Sequence, residues 1–265
     1  MTTKAFIEKY LRIVNKVGQE VPFILNSIQD RYLTQDATGR DIILKARQQG
    51  FSSLILAMFT KDFLAKENSR SVIVADIADN ASELLDRVKS YIKSFEDTAQ
   101  TKVPLKYNSK YELYNEVLNS RYTIGTADNV EFGRSKTITN LHLSEAAFYN
   151  YLEKLLAGAG TAVVPTGRLI IETTANGFNE FKTFWEESKL GETGFKPLFY
   201  KASDFYDQEF LEAEKKRLRR LFQQEYPETD TEAFLTSGSL FFDSNSLMWY
   251  LENTKEPLPN ELQTI

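Results

Sequence analysis

The sequence predicts an α/β domain: a mostly parallel, doubly wound sheet with helices on both faces. Short apolar segments alternate with helical segments along most of the chain, the pattern that sets parallel strands between covering helices. One such segment, Ser71, Val72, Ile73, Val74 and Ala75, is a nearly continuous apolar run, as a strand buried on both faces requires. The intervening segments repeat their apolar residues at three- and four-residue spacing, the period of a helix with one buried face.

Taken in order, Phe6, Ile7, Tyr10, Leu11, Val14 and Val17 recur at helical spacing, so an amphipathic helix is expected at the start. Residues 41–46 read as a short strand running into a turn at 48–50. From Ser52 a helix follows, with Leu54, Ile55, Met58, Phe59 and Phe63 inward. After the 71–75 strand, Asn80 with Glu83 three residues later has the form of a capping box. It would open a helix carrying Leu84, Leu85, Val88, Ile92 and Phe95. Strands are expected at 122–127 and 137–143, then a helix over 146–157 stopped by Gly158. A strand at 168–173 and an aromatic-rich helix at 178–188 follow. Beyond Lys201 the character changes: a charged helix over 207–225 leads to Pro227. The tail from Lys255, with Pro257 and Pro259 and no periodicity, reads as a linker or frayed end.

Composition narrows the function classes. The 265 residues are 42% hydrophobic and 26% charged, which fits a globular domain. No apolar run approaches the ~18 residues of a membrane span, and no signal-peptide pattern opens the chain, so no membrane role is expected. With no cysteine and a single histidine, His142, thiol chemistry and histidine metal clusters are excluded. His142 is expected to be a satisfied strand residue. The net charge of −5 argues against a uniformly basic nucleic-acid module and leaves room for a local patch. Glu214 to Arg220 offers one, either for DNA phosphates or as the solvated face of a helix packed through Phe210, Leu211, Leu218, Leu221 and Phe222.

Three segments carry chemistry. The first runs from Lys45 to Ser53, between a strand and a helix, where backbone N–H groups and the helix dipole favour phosphate. The common phosphate loop sets its lysine directly after the second glycine. Here Phe51 holds that place, while Lys45 stands at the opposite end of the loop, Arg47 within it, and Ser52 where a metal-binding hydroxyl belongs. Alone, the segment reads equally as a basic turn without a ligand. The second is Leu141-His142-Leu143-Ser144-Glu145, a strand end with a carboxylate able to position an attacking water. Ser144 replaces the aspartate usual before it, leaving a hydroxyl to hold a metal-bound water or orient Glu145. Alone, Ser-Glu is also an ordinary helix cap. The third, Glu172-Thr173-Thr174-Ala175-Asn176-Gly177, ends a strand in polar groups that could sense a γ-phosphate, or form a plain turn.

In order and spacing, these segments resemble the large terminases of tailed bacteriophages. The first is similar to that family's variant phosphate loop with the lysine at its start, the second to its Walker B strand and the third to its coupling motif. Thr231-Glu232-Ala233-Phe234-Leu235-Thr236-Ser237-Gly238 resembles a stretch near the end of its ATPase region. The likeness spans roughly residues 20–240. It implies an ASCE-type P-loop NTPase: an ATPase core over 1–200, and a small lid over 201–265 that carries the start of a linker. The lid, helped by the N-terminal helix, would close over the nucleotide.

The resemblance also implies roles. ATP would be held by Lys45, Arg47, Gln48, Gln49, Gly50, Phe51, Ser52 and Ser53, and Mg²⁺ by Ser52 and Glu145. Glu145 would activate water, while Thr174 and Asn176 would relay hydrolysis. Gln29 matches a glutamine that reads adenine, and Arg134 a finger acting on a neighbouring subunit. The implied activity is ATP-driven translocation of double-stranded DNA into a procapsid. It would take place in the host cytoplasm, with sister subunits in a ring on the portal protein and a small terminase subunit as partners. The family's RNase H-like nuclease half has no counterpart here, so a fragment without nuclease activity is expected. A degenerate scaffold binding DNA or portal, and a helicase-like ATPase on cellular nucleic acid, are the alternatives.

Overall fold

The computed structural model describes residues 1–129, 131, 137–236, 249–250 and 253–254. Its centre is an eight-stranded sheet. The strands are β3 (Arg40–Lys45), β4 (Arg70–Ala75), β5 (Leu105–Asn108), β6 (Glu112–Asn115), β7 (Ser120–Thr126), β8 (Ile138–Ser144), β9 (Val163–Thr173) and β10 (Lys196–Tyr200), and a separate hairpin pairs β1 (Arg12–Val14) with β2 (Glu20–Pro22). The order across the sheet is β10-β3-β9-β8-β4-β7-β6-β5. From β10 to β7 neighbours run parallel, and β6 and β5 add an antiparallel edge. Consecutive β3 and β4 are therefore separated by β9 and β8, and the crossover opens a crevice at the strand C-termini, where ligands of such sheets bind.

Alternation along the strands explains why both faces are covered. Ile43, Ile73 and Ile170 point to one side, into a core closed by α1 (Thr3–Tyr10), α2 (Ser27–Arg31), α3 (Phe51–Ala65) and α4 (Ala78–Ala99). Ile42, Leu44, Val72, Val74, Leu141, Leu143 and Ile171 point to the other. There α5 (Leu152–Leu155), α6 (Glu180–Lys189) and α9 (Asp230–Thr236) supply Leu152, Leu155, Phe181, Trp185, Ala233 and Phe234. Both faces of these strands are thus covered, hence the nearly unbroken apolar run in β4.

Several expectations are corrected. The opening helix stops at Tyr10. Val14 and Val17 are 69% and 75% exposed, because Asn15 accepts hydrogen bonds from Val17 N and Gln19 N and Gly18 turns with φ +80°, folding a hairpin instead. There is no capping box at Asn80: α4 has already begun, and the Asn80 amide donates to Asp76. The 146–157 helix is broken into a 3-10 turn at Ala146–Phe148, α5, and a π turn at Leu156–Gly160. The Tyr149 hydroxyl bonds the Val74 and Ser144 carbonyls and pins that break. The 207–225 helix divides into α7 (Gln208–Leu218) and α8 (Phe222–Glu225), since Arg219 adopts φ +52°.

The 201–236 segment lies beside the loop after β3. Arg47 N donates to the Glu225 carbonyl at 2.9 Å, and the Tyr206 hydroxyl to the Arg47 carbonyl at 2.8 Å. The N-terminal helix packs on α3 and α4 and contributes no residue to the cleft described next.

Candidate functional site

A cleft of about 540 Å³ opens at the C-terminal edge of the parallel strands, lined by the loop after β3, the first residues of α3, Asp76, Arg87, Glu145, Phe148, Thr174 and Glu225. The loop's shape is set from behind. Asn26 caps α2 in a capping box with Gln29, and the same two side chains reach across to the loop. Asn26 Nδ2 donates to the Gln49 carbonyl at 3.2 Å, and Gln29 Nε2 to the Gly50 carbonyl at 2.8 Å. Among the described residues all peptides are trans, so the N–H groups of Gly50 and Phe51 point opposite to those carbonyls, away from α2. Gly50 has φ +83°, a conformation that favours glycine, and a Cβ there would stand 2.6 Å from Gln29 Nε2 and push that amide aside.

Beneath the loop lies a buried polar cluster. β3, β9 and β8 are adjacent, and their ends bring Lys45, Glu172, His142 and Ser144 to the α3 face. Glu172 is fully buried, and its Oε1 accepts from Ser52 Oγ and Ser144 Oγ, each at 2.8 Å, and from His142 Nε2 at 3.2 Å. The imidazole proton therefore sits on Nε2 in this arrangement. The Lys45 ammonium, 5% exposed, lies 3.1 Å from Glu172 Oε2, without hydrogen-bond alignment, and 3.1 Å from Glu145 Oε1. Burial alone would lower the Lys45 pKa, but Glu145 and Glu172 outweigh it and hold the value above that of an ordinary lysine. Burial likewise opposes ionisation of Glu172, yet Lys45, His142 and Ser52 hold its carboxyl well below the usual range. Both groups are charged at neutral pH.

Glu145 is more accessible, with its side chain 36% exposed. Its backbone is left-handed at φ +57°, a conformation that costs a non-glycine residue ~1–3 kcal/mol and clusters at functional sites. Glu145 N donates to the Glu172 carbonyl at 2.8 Å, and Oε2 accepts from Thr174 N at 3.2 Å, which fixes the carboxylate at the cleft wall.

The predicted residues thus divide. Lys45, Arg47, Gln48, Gln49, Gly50, Phe51, Ser52, Ser53, Glu145 and Thr174 come together around the cleft. Some do so only in part. The Phe51 ring is buried against Tyr32 and Tyr200, and the Gln49 amide donates to the Lys201 carbonyl, so these side chains serve the loop's support. Arg47 is paired with Glu225 at 3.0 Å. Gln29, expected to read adenine, is buried in α2 with both ends of its amide engaged, and is not among the lining residues. Asn176 donates to the Ala147 carbonyl, outside the cleft lining. Ser144 orients Glu172 rather than Glu145. Arg134 lies outside the described residues.

Sequence reasoning missed the weight of Glu172. The available signal was an acid directly after Leu169, Ile170 and Ile171, since a charge in a strand buried on both faces demands partners. Asp76, Arg87, Phe148 and Glu225 were also missed. Arg87 reaches the cleft from α4, donating to Ser53 Oγ at 3.2 Å.

No protein-family model matches the chain. Its fold is nevertheless that of large terminase ATPase domains. The ATPase domain of the Thermus phage P74-26 large terminase superposes with a TM-score of 0.57 at 19% identity, covering 76% of this chain and 92% of that one. The large terminase of bacteriophage HK97 gives 0.61 at 15% identity, over 89% of this chain and 51% of that one. A large terminase from a thermophilic bacteriophage, solved in complex with ATP-gamma-S, gives 0.57 at 12% identity, over 76% and 51%. The chain therefore spans about half the length of the latter two. At these identities the likeness establishes the fold. Among the described residues no helix is long and apolar enough to cross a membrane.

Proposed function

We propose that this chain binds and hydrolyses ATP as the motor domain of a large terminase, with turnover coupled to translocation of double-stranded DNA into a procapsid. The observation that carries the reading is the juxtaposition of Lys45 and Glu145, 3.1 Å apart across a cleft bounded by a glycine-containing loop and the start of a helix. A nucleoside triphosphate needs inward N–H groups, a cation for its terminal phosphates and a base for the attacking water. Gly50 and Phe51 supply the first, Lys45 the second and Glu145 the third. Lys45 holds Glu145. Phosphate oxygens would compete for that ammonium and free the carboxylate to polarise water. Thr174, whose N–H holds Glu145, links the end of β9 to the same carboxylate.

The donor set also fits Mg²⁺, which takes oxygen ligands and shares its shell with substrate phosphates. The Ser52 hydroxyl and the Glu145 carboxylate are the groups that would hold it. When bound, the metal neutralises charge on the phosphoryl group. Docking in the host cytoplasm on a portal ring, with sister subunits and a small terminase subunit, belongs to the same proposal. So do the 201–236 segment acting as a lid, and Arg134 acting as a finger in trans.

Steady-state phosphate release with and without duplex DNA tests the reading. Mg²⁺-dependent hydrolysis by the chain is expected. Nucleotide binding without any hydrolysis, alone or with DNA on assembled portals, would favour the scaffold alternative. That alternative draws on one observation, the engagement of Lys45 by two carboxylates.

A further inference from the structure

We infer that Glu172 compensates, from the adjacent strand, for the missing acid at the Ser144 position by holding the Ser52 hydroxyl in the orientation a metal ion requires. The inference rests on the nucleotide reading above and deepens it. In such enzymes the metal is held by the loop's Ser or Thr together with an acid at the end of the Walker B strand. Ser144 cannot serve as that acid. Its direct cross-strand partner in the β8–β9 register is Glu172. Both side chains emerge on the same face, and the Ser144 hydroxyl donates to Glu172 Oε1 at 2.8 Å. The acid has moved one strand sideways at constant register, and the longer glutamate side chain spans the added distance.

The bond that matters is from Ser52. Its hydroxyl donates to Glu172 Oε1 at 2.8 Å. A hydroxyl that gives its proton to a buried carboxylate presents only lone pairs in other directions, and a hard cation requires such an oxygen. A serine free to rotate would present a proton there part of the time. Glu172 is itself over-determined by Ser144, His142 and Lys45, so it cannot swing out into the cleft without leaving several donors unpaired. Glu172 is therefore a positioning residue: it acts through Ser52 and touches neither substrate nor metal.

The test is binding of a non-hydrolysable ATP analogue by calorimetry, in Mg²⁺ and in EDTA, so that no turnover is read. Four proteins are compared: the unmodified chain, Glu172→Gln, Ser144→Asp, and Ser144→Asp combined with Glu172→Gln. The unmodified chain is expected to bind at least ~10-fold more tightly with Mg²⁺ (about 1.4 kcal/mol). Glu172→Gln, whose neutral amide accepts the Ser52 proton more weakly and can turn an N–H on that oxygen instead, should lose most of that enhancement while its affinity in EDTA stays within about threefold, a pattern that general destabilisation does not produce. The combined variant, with the acid returned to β8, should regain it. Full Mg²⁺ enhancement in Glu172→Gln overturns the inference and leaves the nucleotide reading intact. Should Glu172→Gln not fold, the combined variant decides: enhancement supports the inference, and its loss in a folded protein overturns it. No binding by the unmodified chain in either buffer defeats the nucleotide reading, and the inference with it.

Discussion

Replacing Lys45 by Met removes the one ammonium that neutralises a carboxylate with no solvent access. Lys45 lies 3.1 Å from both Glu172 and Glu145, but the two contacts differ in weight. Glu145 is 36% exposed and can return to water, so its loss of a partner costs little. Glu172 is fully buried and cannot. Breaking a buried pair from one side typically costs ~3–5 kcal/mol. For a domain of this size each kcal/mol shifts the melting temperature by roughly 2–4 °C, so a fall of roughly 6–20 °C is expected. Adding Glu172→Gln should recover most of it, because no uncompensated charge remains. The double-mutant cycle, read by circular dichroism at pH 7, should give a coupling of ~2–3 kcal/mol. Lys61→Met serves as control, since Lys61 on α3 donates only to Thr3 near the surface. If Lys45→Met melts within about 2 °C of the unmodified protein, or if the double variant is as unstable as the two single losses added together, the buried pair does not hold this fold together.

Other consequences are open to measurement. Glu145→Gln should lower ATP turnover by ~10²–10⁴-fold. In EDTA it should leave analogue binding equal or tighter, because Lys45 loses a competitor; unchanged turnover would remove Glu145 from the catalytic role. The Glu172 carboxyl is held below its ordinary value of about 4.5, so its stabilisation is complete above that pH and is lost as pH falls towards its depressed folded value. Melting temperature between pH 5 and pH 3 should therefore drop more steeply for the unmodified chain than for Lys45→Met combined with Glu172→Gln; parallel slopes would deny Glu172 that share. Gly50→Ala forces a side chain into φ +83° and against the Gln29 amide, and should both destabilise the chain and weaken analogue binding at least ~10-fold. Unchanged affinity would mean that the loop's left-handed turn is not part of the site.

The sheet was legible because its central strands carry short apolar runs on both faces and most covering helices keep one apolar stripe. What escaped were places where a few polar contacts override periodicity. Val14 and Val17 continue a helical pattern, yet the Asn15 side chain bonds two backbone donors and turns the chain into a hairpin. Residues 146–157 look helical throughout, but Tyr149 finds buried carbonyl partners on β4 and β8 that a continuous helix would deny it. The β5–β6 hairpin and β10 sit at sheet edges, where one-sided burial leaves only a weak pattern.

The site was legible as a set of segments and not as a charge balance, because the balance runs between strands distant in sequence. Lys45 and Glu172 are 127 positions apart, yet β3 and β9 are neighbours and pair Ile43 directly with Glu172. A lysine at the start of the loop and an acid on β9 look, in sequence, like unrelated features. Across adjacent strands they compensate each other. A buried ammonium at the end of β3 would be insupportable without an acid beside it, and a buried acid near the end of β9 would be insupportable without that ammonium. Each substitution is tolerated only because the other is present, so restoring one feature of the common loop without the other should damage the chain more than leaving both altered. Lys placed at Phe51 with Lys45→Ala supplies the comparison: it keeps a loop cation but strands Glu172, and it should fold less stably than the same change made with Glu172→Gln. Equal stability of those two proteins would mean that the two relocations are independent.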